Sequence, residues 1–494
     1  MRSIKKIIIV GGGTSGWMSA AAMSQCDEFK GIAITLVESD RIGTIGVGEG
    51  STPYLKRFMQ GLGFNELDWM QACDATYKTG IYFNNWNGDK QCYFHPFYTS
   101  MDVKSAEIFF NFSNARRRGK SGPIKGDDFF VSAHLAKNKL SPVPSKLMPV
   151  DAEYGYHFDA SKLAKKLKQL AIENGVEHVV SEILQVEKDN GDIKTLNLDN
   201  GESLKGDFFI DASGFNALLV GKTLNTSFTS FGEELLNDSA VVVSTPLSHG
   251  YQGENYTSST ALSAGWMWNI PLLTRTGNGY VYSSKYLSKE QAEKELKSHI
   301  NESCAELKVN HLKMKVGMRK TPWVNNVLAI GLAHSFIEPL EATALMITQW
   351  TIERFIQLAP FNIKIDKNKK EKTKELFNVE MSRLVVGVKD YIIAHYVTSQ
   401  RKDSSYWQQS TQVNYSSKIL QDILKSWNAG EDFDSVIFKH EFHLSYYRPS
   451  WYVLLAGMDY RDPSCQKEHQ LLPLKIKKQA QDYSDGLTKK YYSH

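Results

Sequence analysis

Apolar and polar positions along the chain follow two different periods. Lys5 to Val10 is a short β-branched apolar run, the pattern of a strand buried on both faces. Ile32 to Val37 is a second such run, ended by Glu38. Between them, residues 16–23 read as a helix. Leu163, Leu167 and Leu170 recur at helical spacing over 160–174, up to Gly175. Asn190-Gly191 and Asn200-Gly201 then mark two hairpins. Strand runs return at 207–211 and 327–332. Helices are expected over 344–356 and over 372–398, where Leu376, Met381, Leu384, Val385, Val388 and Ile392 form an apolar stripe. The last thirty residues are polar and lysine-rich and predict a surface segment.

The first two strands and their helix make one βαβ unit. Gly11-x-Gly13-x-x-Gly16 occupies its strand-to-helix corner, with Thr14 and Ser15 inside the turn. Glycines there let the backbone approach a pyrophosphate, and the helix N-terminus offers unpaired N–H groups. Glu38 lies 22 residues past Gly16, the offset of a ribose hydroxyl acceptor. Gly43, Gly46, Gly48 and Gly50 make residues 41–53 either a strap over a flat cofactor or an ordinary surface loop.

A helix, a β-meander and a strand ending Asp211-Ala212-Ser213-Gly214 form the layout by which FAD-binding folds return to the cofactor sheet. Leu332 stands after a glycine where many such folds place an acid. The expected class is α/β: a discontinuous, monooxygenase-like FAD-binding dinucleotide fold over 1–90, 151–235 and 300–360. A mostly helical substrate module would take 91–150, 236–299 and 361–494.

Composition narrows the function. With 494 residues, the chain is long enough for two or three modules. A net charge of +4 gives no electrostatic reason for nucleic acid or an anionic membrane, and no apolar run is long enough to span one. The five cysteines are odd in number and contain no Cys-x-x-Cys pair. That argues against a disulfide framework or a metal site and fits a reducing cytoplasm. The N-terminus passes directly into a strand, so no secretory signal is expected.

Several narrow motifs remain. They are Gly46-Val47-Gly48-Glu49-Gly50-Ser51-Thr52-Pro53, Tyr156-His157-Phe158-Asp159-Ala160, Trp266-x-Trp268-x-Ile270-Pro271, Phe336-Ile337-Glu338-Pro339-Leu340-Glu341-Ala342-Thr343 and Asp390-Tyr391-Ile392-Ile393-Ala394-His395-Tyr396. With the glycine turn, they resemble the flavin-dependent halogenases of the tryptophan-halogenase family over roughly residues 5 to 460. The resemblance implies a two-component enzyme. A separate flavin reductase supplies FADH2, a halide ion is oxidised to hypohalous acid, and that acid reaches a lysine through an internal tunnel to halogenate a small aromatic substrate.

The resemblance makes Lys78 the catalytic lysine and Glu341 the active-site glutamate. The lysine could polarise hypohalous acid as an ammonium or carry the halogen as an amine. Both Glu338 and Glu341 could also simply begin the helix that follows. Thr343 and Ala344 would offer backbone N–H groups to the halide, with Ala344 replacing the family's usual glycine. Trp266 and Trp268 would wall the substrate off from the flavin, or else pack as core. His95 and Phe97 match positions that sandwich an indole, although a structural histidine fits the residue equally. Tyr446 lies in a shortened version of the region that clasps the amino-acid end of tryptophan, which favours a less confined indole or phenol over free tryptophan. Bromide and chloride, and a homodimer, are left open. The other readings of the same cofactor fold are an aromatic monooxygenase and a non-catalytic flavin sensor. The hydroxylase has no need of Lys78, Glu341 or the two-tryptophan wall.

Overall fold

The computed structural model describes residues 4–41, 48–88, 91–120, 122–145, 152–247, 253–300, 308–358, 367–462 and 474–493. Its first sheet has six strands, in the order Trp323–Val324, Val327–Ala329, Phe208–Asp211, Lys6–Val10, Ala33–Glu38 and Glu177–Val180. Neighbours run parallel except at the Trp323–Val324 edge. Ile7, Ile8 and Ile9 are all fully buried, so both faces of the central strand are covered and its run is continuous rather than alternating.

The helices Thr14–Gln25 and Ala160–Glu173 pack together over one face. Asp159 caps the second helix by accepting from the Ser161 and Lys162 N–H groups, and Leu163 and Leu167 turn inward. The meander Ile183–Asp189, Asp192–Leu198 and Ser203–Lys205 covers the other face. Its first turn places Asn190 (φ 51°) and Gly191 (φ 88°) in the left-handed region, as the Asn-Gly pair requires.

The second sheet has seven strands: Asn310–Lys313, Ser239–Pro246, Arg275–Tyr282, Gly265–Pro271, Thr257–Leu262, Gly80–Asn84 and Cys92–Pro96. Gly80–Asn84 and Asn310–Lys313, from the ranges 1–90 and 300–360, pair into this sheet. Helices dominate the rest of the module built on it. The 31-residue helix Lys367–Val397 joins the two cores. Phe377 and Met381 pack under the first sheet, while Val385, Val388 and Ile392 pack against the second. Leu376 faces outward at 47% exposure, so Phe377 leads the buried stripe in its place.

The C-terminal segment is better fixed than its composition suggests. The helix Leu474–Thr488 packs on Val131–Lys137, and Tyr491–Ser493 pairs with Leu140–Pro144. Ala480, Ser484, Thr488 and Tyr491 are its buried residues among those described. These small or polar residues do not register as an apolar stripe. Residues 42–47 of the expected strap lie outside the described residues.

A three-stranded sheet links the two layers. Gly155–Phe158 pairs with Glu49–Gly50 on one side and with Thr76–Lys78 on the other. The chain leaves Lys78 and enters the seven-stranded sheet two residues later. Lys78 is thereby fixed at the seam.

Candidate active site

The glycine turn divides into structural and open positions. Gly11 has φ 111°, and a Cβ there would lie 2.4 Å from the Ala212 carbonyl oxygen. At Gly16 a Cβ would lie 1.9 Å from the Gly11 carbonyl oxygen. The fold itself needs both glycines. Gly13 has no atom within 4 Å of the space its Cβ would fill, and no side chain caps the helix it begins. Open space beside uncapped N–H groups fits a pyrophosphate.

Glu38 Oε1 lies 2.7 Å from His178 Nε2 and 3.2 Å from Lys168 Nζ, and its other oxygen packs on Gly12. The carboxylate is therefore pinned over the turn. Gly331 (φ 55°) brings the corner before Leu332 against Ser15. Leu332 itself is 36% exposed. A Cβ on Gly48 (φ 93°) would lie 3.4 Å from Ile270 and Leu272, at the end of the two-tryptophan strand.

Lys78 is 1% exposed, and its Nζ makes no hydrogen bond with the described residues. Burial pushes the amine down from 10.5 to about 8, with Glu341 opposing the shift. Phe97 lies 5.7 Å beneath the ammonium. A Cβ on Gly50 would meet Lys78 Nζ at 3.2 Å, Thr257 Oγ1 at 3.5 Å and Ala342 Cβ at 3.7 Å, so these groups surround one point.

Glu341 closes the short turn Pro339–Glu341 and is 5% exposed. Burial pushes its carboxyl up. Its interactions with His95, His395 and Lys78 outweigh that, and the net direction is below the ordinary value. The amine and the carboxylate, 263 residues apart in sequence, are thus both buried and close enough to interact. His95 Nε2 donates to the Tyr391 hydroxyl at 2.8 Å, and that hydroxyl donates to the Ser450 carbonyl at 2.9 Å. Tyr446 stacks on Tyr391 with centroids 3.7 Å apart and planes 13° from parallel. Lys78, Glu341, His95, Phe97 and Tyr446 therefore line one neighbourhood.

Thr343 is buried and Ala344 is exposed at the start of the helix Ala344–Leu358. The left-handed residue of this loop is Ala342 (φ 55°), not Ala344. An alanine at 344 consequently carries no left-handed strain.

Glu338 does not begin that helix. It is fully buried, and its Oε2 accepts from Trp266 Nε1 (2.8 Å), Asn237 Nδ2 (2.9 Å) and the Tyr396 hydroxyl (2.5 Å). Trp266 is thus an anchor for the loop carrying Glu341. Trp268 tilts against it at 6.0 Å, over Gly279, where a Cβ would lie 2.1 Å from the indole. Both tryptophans belong to the core of the second module.

The sequence reading gave no role to Tyr391, His395 or Asn237. Tyr391 and His395 were visible as an i, i+4 polar pair inside a buried stripe, which is the one signal that could have raised them.

A family model for tryptophan halogenase matches residues 6–472. The chain is 37% identical over 426 residues to 7-chloro-L-tryptophan 6-halogenase KtzR of Kutzneria sp. (strain 744), covering 81% of each. It is 32% identical over 483 residues to tryptophan 6-halogenase SttH of Streptomyces toxytricini, covering 92% of this chain and 90% of that one. The crystal structure of SttH superposes with a TM-score of 0.84, covering 99% of this chain and 98% of the other at 30% identity. Xcc4156, a flavin-dependent halogenase from Xanthomonas campestris, superposes with a TM-score of 0.86 at 29% identity, covering 100% of this chain and 97% of the other. Together with the dinucleotide fold, these likenesses establish that the chain belongs to the tryptophan halogenase family and is a flavin-dependent halogenase.

Proposed function

We propose that this enzyme halogenates an indole lacking a confined amino-acid end, with Lys78 holding hypohalous acid and Glu341 taking the ring proton. The approach of a buried amine to a buried carboxylate carries this reading. Gly11, Gly13, Thr14, Ser15, Gly16, Glu38, Gly48 and Leu332 would hold FAD, and Thr343 and Ala344 the halide. When bound, the flavin supplies with oxygen the oxidation of halide to hypohalous acid. We infer that it arrives as FADH2 from a separate reductase, because the sequence shows no second glycine fingerprint for NADPH. A reducing cytoplasm suits the free thiols of Cys26, Cys73 and Cys92.

Chemistry at the lysine follows from its burial. At neutral pH an amine that titrates near 8 is mostly ammonium. Its three N–H groups can hydrogen-bond the oxygen of hypohalous acid and polarise the oxygen–halogen bond. An electron-rich ring carbon attacks the halogen, the oxygen–halogen bond breaks, and the departing oxygen takes a proton from the ammonium and leaves as water. Glu341 then accepts the proton of the ring carbon, and aromaticity returns. Halogenation is therefore expected to fall as pH rises through about 8. A rate that climbs through that range in a pH profile would assign the chemistry to the neutral amine.

The substrate preference rests on Arg448. Its guanidinium is engaged by Glu107 and Asp434 at 2.5 and 2.7 Å, so it is not free to receive an amino-acid carboxylate. Purified protein with FADH2, oxygen, bromide and indole is expected to yield bromoindole by mass spectrometry, and to turn over free tryptophan more slowly. Hydroxyindole as the product, or a clear preference for tryptophan, would overturn the respective half of the proposal.

A further inference from the structure

Gly50, His157 and Thr76 form one row across the three-stranded sheet, with His157 paired to both neighbours. Residues directly opposite each other point to the same face, and Lys78, two positions after Thr76, points there as well. His157 is fully buried. Its Nδ1 lies 3.2 Å from Thr76 Oγ1, which donates to the Pro271 carbonyl oxygen at 2.7 Å. Its Nε2 lies 2.9 Å from Thr257 Oγ1, at the start of a strand of the seven-stranded sheet. The ring therefore fixes the Thr257 hydroxyl across the seam between the two sheets.

That hydroxyl meets the lysine where Gly50 has no side chain. The three atoms nearest to the place its Cβ would fill are Lys78 Nζ, Thr257 Oγ1 and Ala342 Cβ, and only the first two are polar. Gly50 is not in the left-handed region, so its backbone conformation does not demand a glycine. Absence of a methyl is what leaves the amine and the hydroxyl facing the same point. Their capacities are complementary. An ammonium only donates, whereas a hydroxyl oxygen has two lone pairs and a single bond to His157 leaves at least one of them for another donor. Hypohalous acid carries one acceptor oxygen and one O–H. Held between the two groups, its oxygen accepts from Lys78, its O–H donates to Thr257, and the halogen is the one atom left to point toward the ring carbon.

We propose that Thr257 is a second binding residue for hypohalous acid, accepting its O–H opposite Lys78 at the gap left by Gly50, and that His157 positions the Thr257 hydroxyl for this task. The inference rests on the proposed role of Lys78. Its consequence is retention of the oxidant until the aromatic ring attacks.

Thr257→Val keeps the side-chain shape and removes the hydroxyl, whereas Thr257→Ser keeps the hydroxyl. With FADH2, oxygen, bromide and indole, the valine variant should give about fivefold less bromoindole per oxygen consumed, the scale of one hydrogen bond. The missing oxidant should appear in a diffusible 1,3-diketone trap, with FAD binding and the KM for indole unchanged. The serine variant should recover the parent yield. A parent yield in Thr257→Val, or an equal loss in both variants, overturns the proposal. A second measurement needs neither flavin nor turnover. In protein carrying 13C-labelled lysine, the Lys78 amine should titrate near 8 in the parent and about half a pH unit lower in Thr257→Val, because the facing oxygen favours the charged form. An unmoved midpoint would put the hydroxyl out of reach of the amine and overturn the proposal as well. Full activity in Lys78→Met would overturn both this inference and the reading beneath it, whereas a parent yield in Thr257→Val overturns this one alone.

Discussion

Lys78→Met is expected to abolish halogenation, leave FAD binding intact, and raise the melting temperature at neutral pH. The three outcomes have one cause. Lys78 is too deeply buried for its charge, so its amine falls from 10.5 to about 8. A folded-state value below the unfolded one means that folding is penalised while the unfolded amine is charged. That penalty is complete below about 8 and fades as pH climbs toward 10.5. At 1.36 kcal/mol per pH unit of difference it is about 3 kcal/mol at pH 7. Methionine has similar length and no charge, so it fills the space and removes the penalty. Thermal melts should show the variant several degrees more stable at pH 7 and nearly equal to the parent at pH 10.5. Equal stability at pH 7 would mean the amine is hydrated and unfit to hold an oxidant away from water. A variant with full activity would remove Lys78 from the chemistry altogether.

The same lysine shows where the sequence stops being legible. Its local segment, Thr76-Tyr77-Lys78-Thr79, reads as a mixed polar strand, and a lysine there is ordinarily solvated. Burial comes from Gly155–Phe158 pairing alongside it, and from Gly50 and Ala342 closing over Nζ. Those contacts come from positions far along the chain, so only the motif resemblance singled the residue out. The glycine turn differs because its signal is local. Gly16 is demanded by the Gly11 carbonyl oxygen within the same corner, and spacing revealed both glycines, although the atom that crowds Gly11 belongs to distant Ala212.

Glu338 and Glu341 illustrate both outcomes within four residues. Acids ahead of a helix read naturally as helix starters. Glu338 instead accepts from Trp266, Asn237 and Tyr396, which lie 72, 101 and 58 residues away. No local pattern encodes a hub built from three distant donors. Burial along Tyr391–Tyr396 similarly hid the polar members of an otherwise apolar stripe, and with them a neighbour of Glu341.

Glu341→Gln is expected to slow halogenation by about 10²-fold or more, the scale of losing a general base. The amide matches the carboxylate in shape. It cannot take a proton from carbon. Loss of the arenium proton, fast in the parent, should then limit the rate. A substrate deuterated at the reacting carbon would show the change directly: no primary isotope effect in the parent, a clear one in the variant. The lost carboxylate has a second consequence. Glu341 is the group that holds the Lys78 amine up against burial. Without it, the amine should titrate lower still, and the residual activity of the variant should decline at a lower pH than that of the parent. Unchanged turnover with no isotope effect would confine Glu341 to a structural role in its loop. An isotope effect without the shifted pH limb would keep it as the base and show that its charge does not govern the lysine.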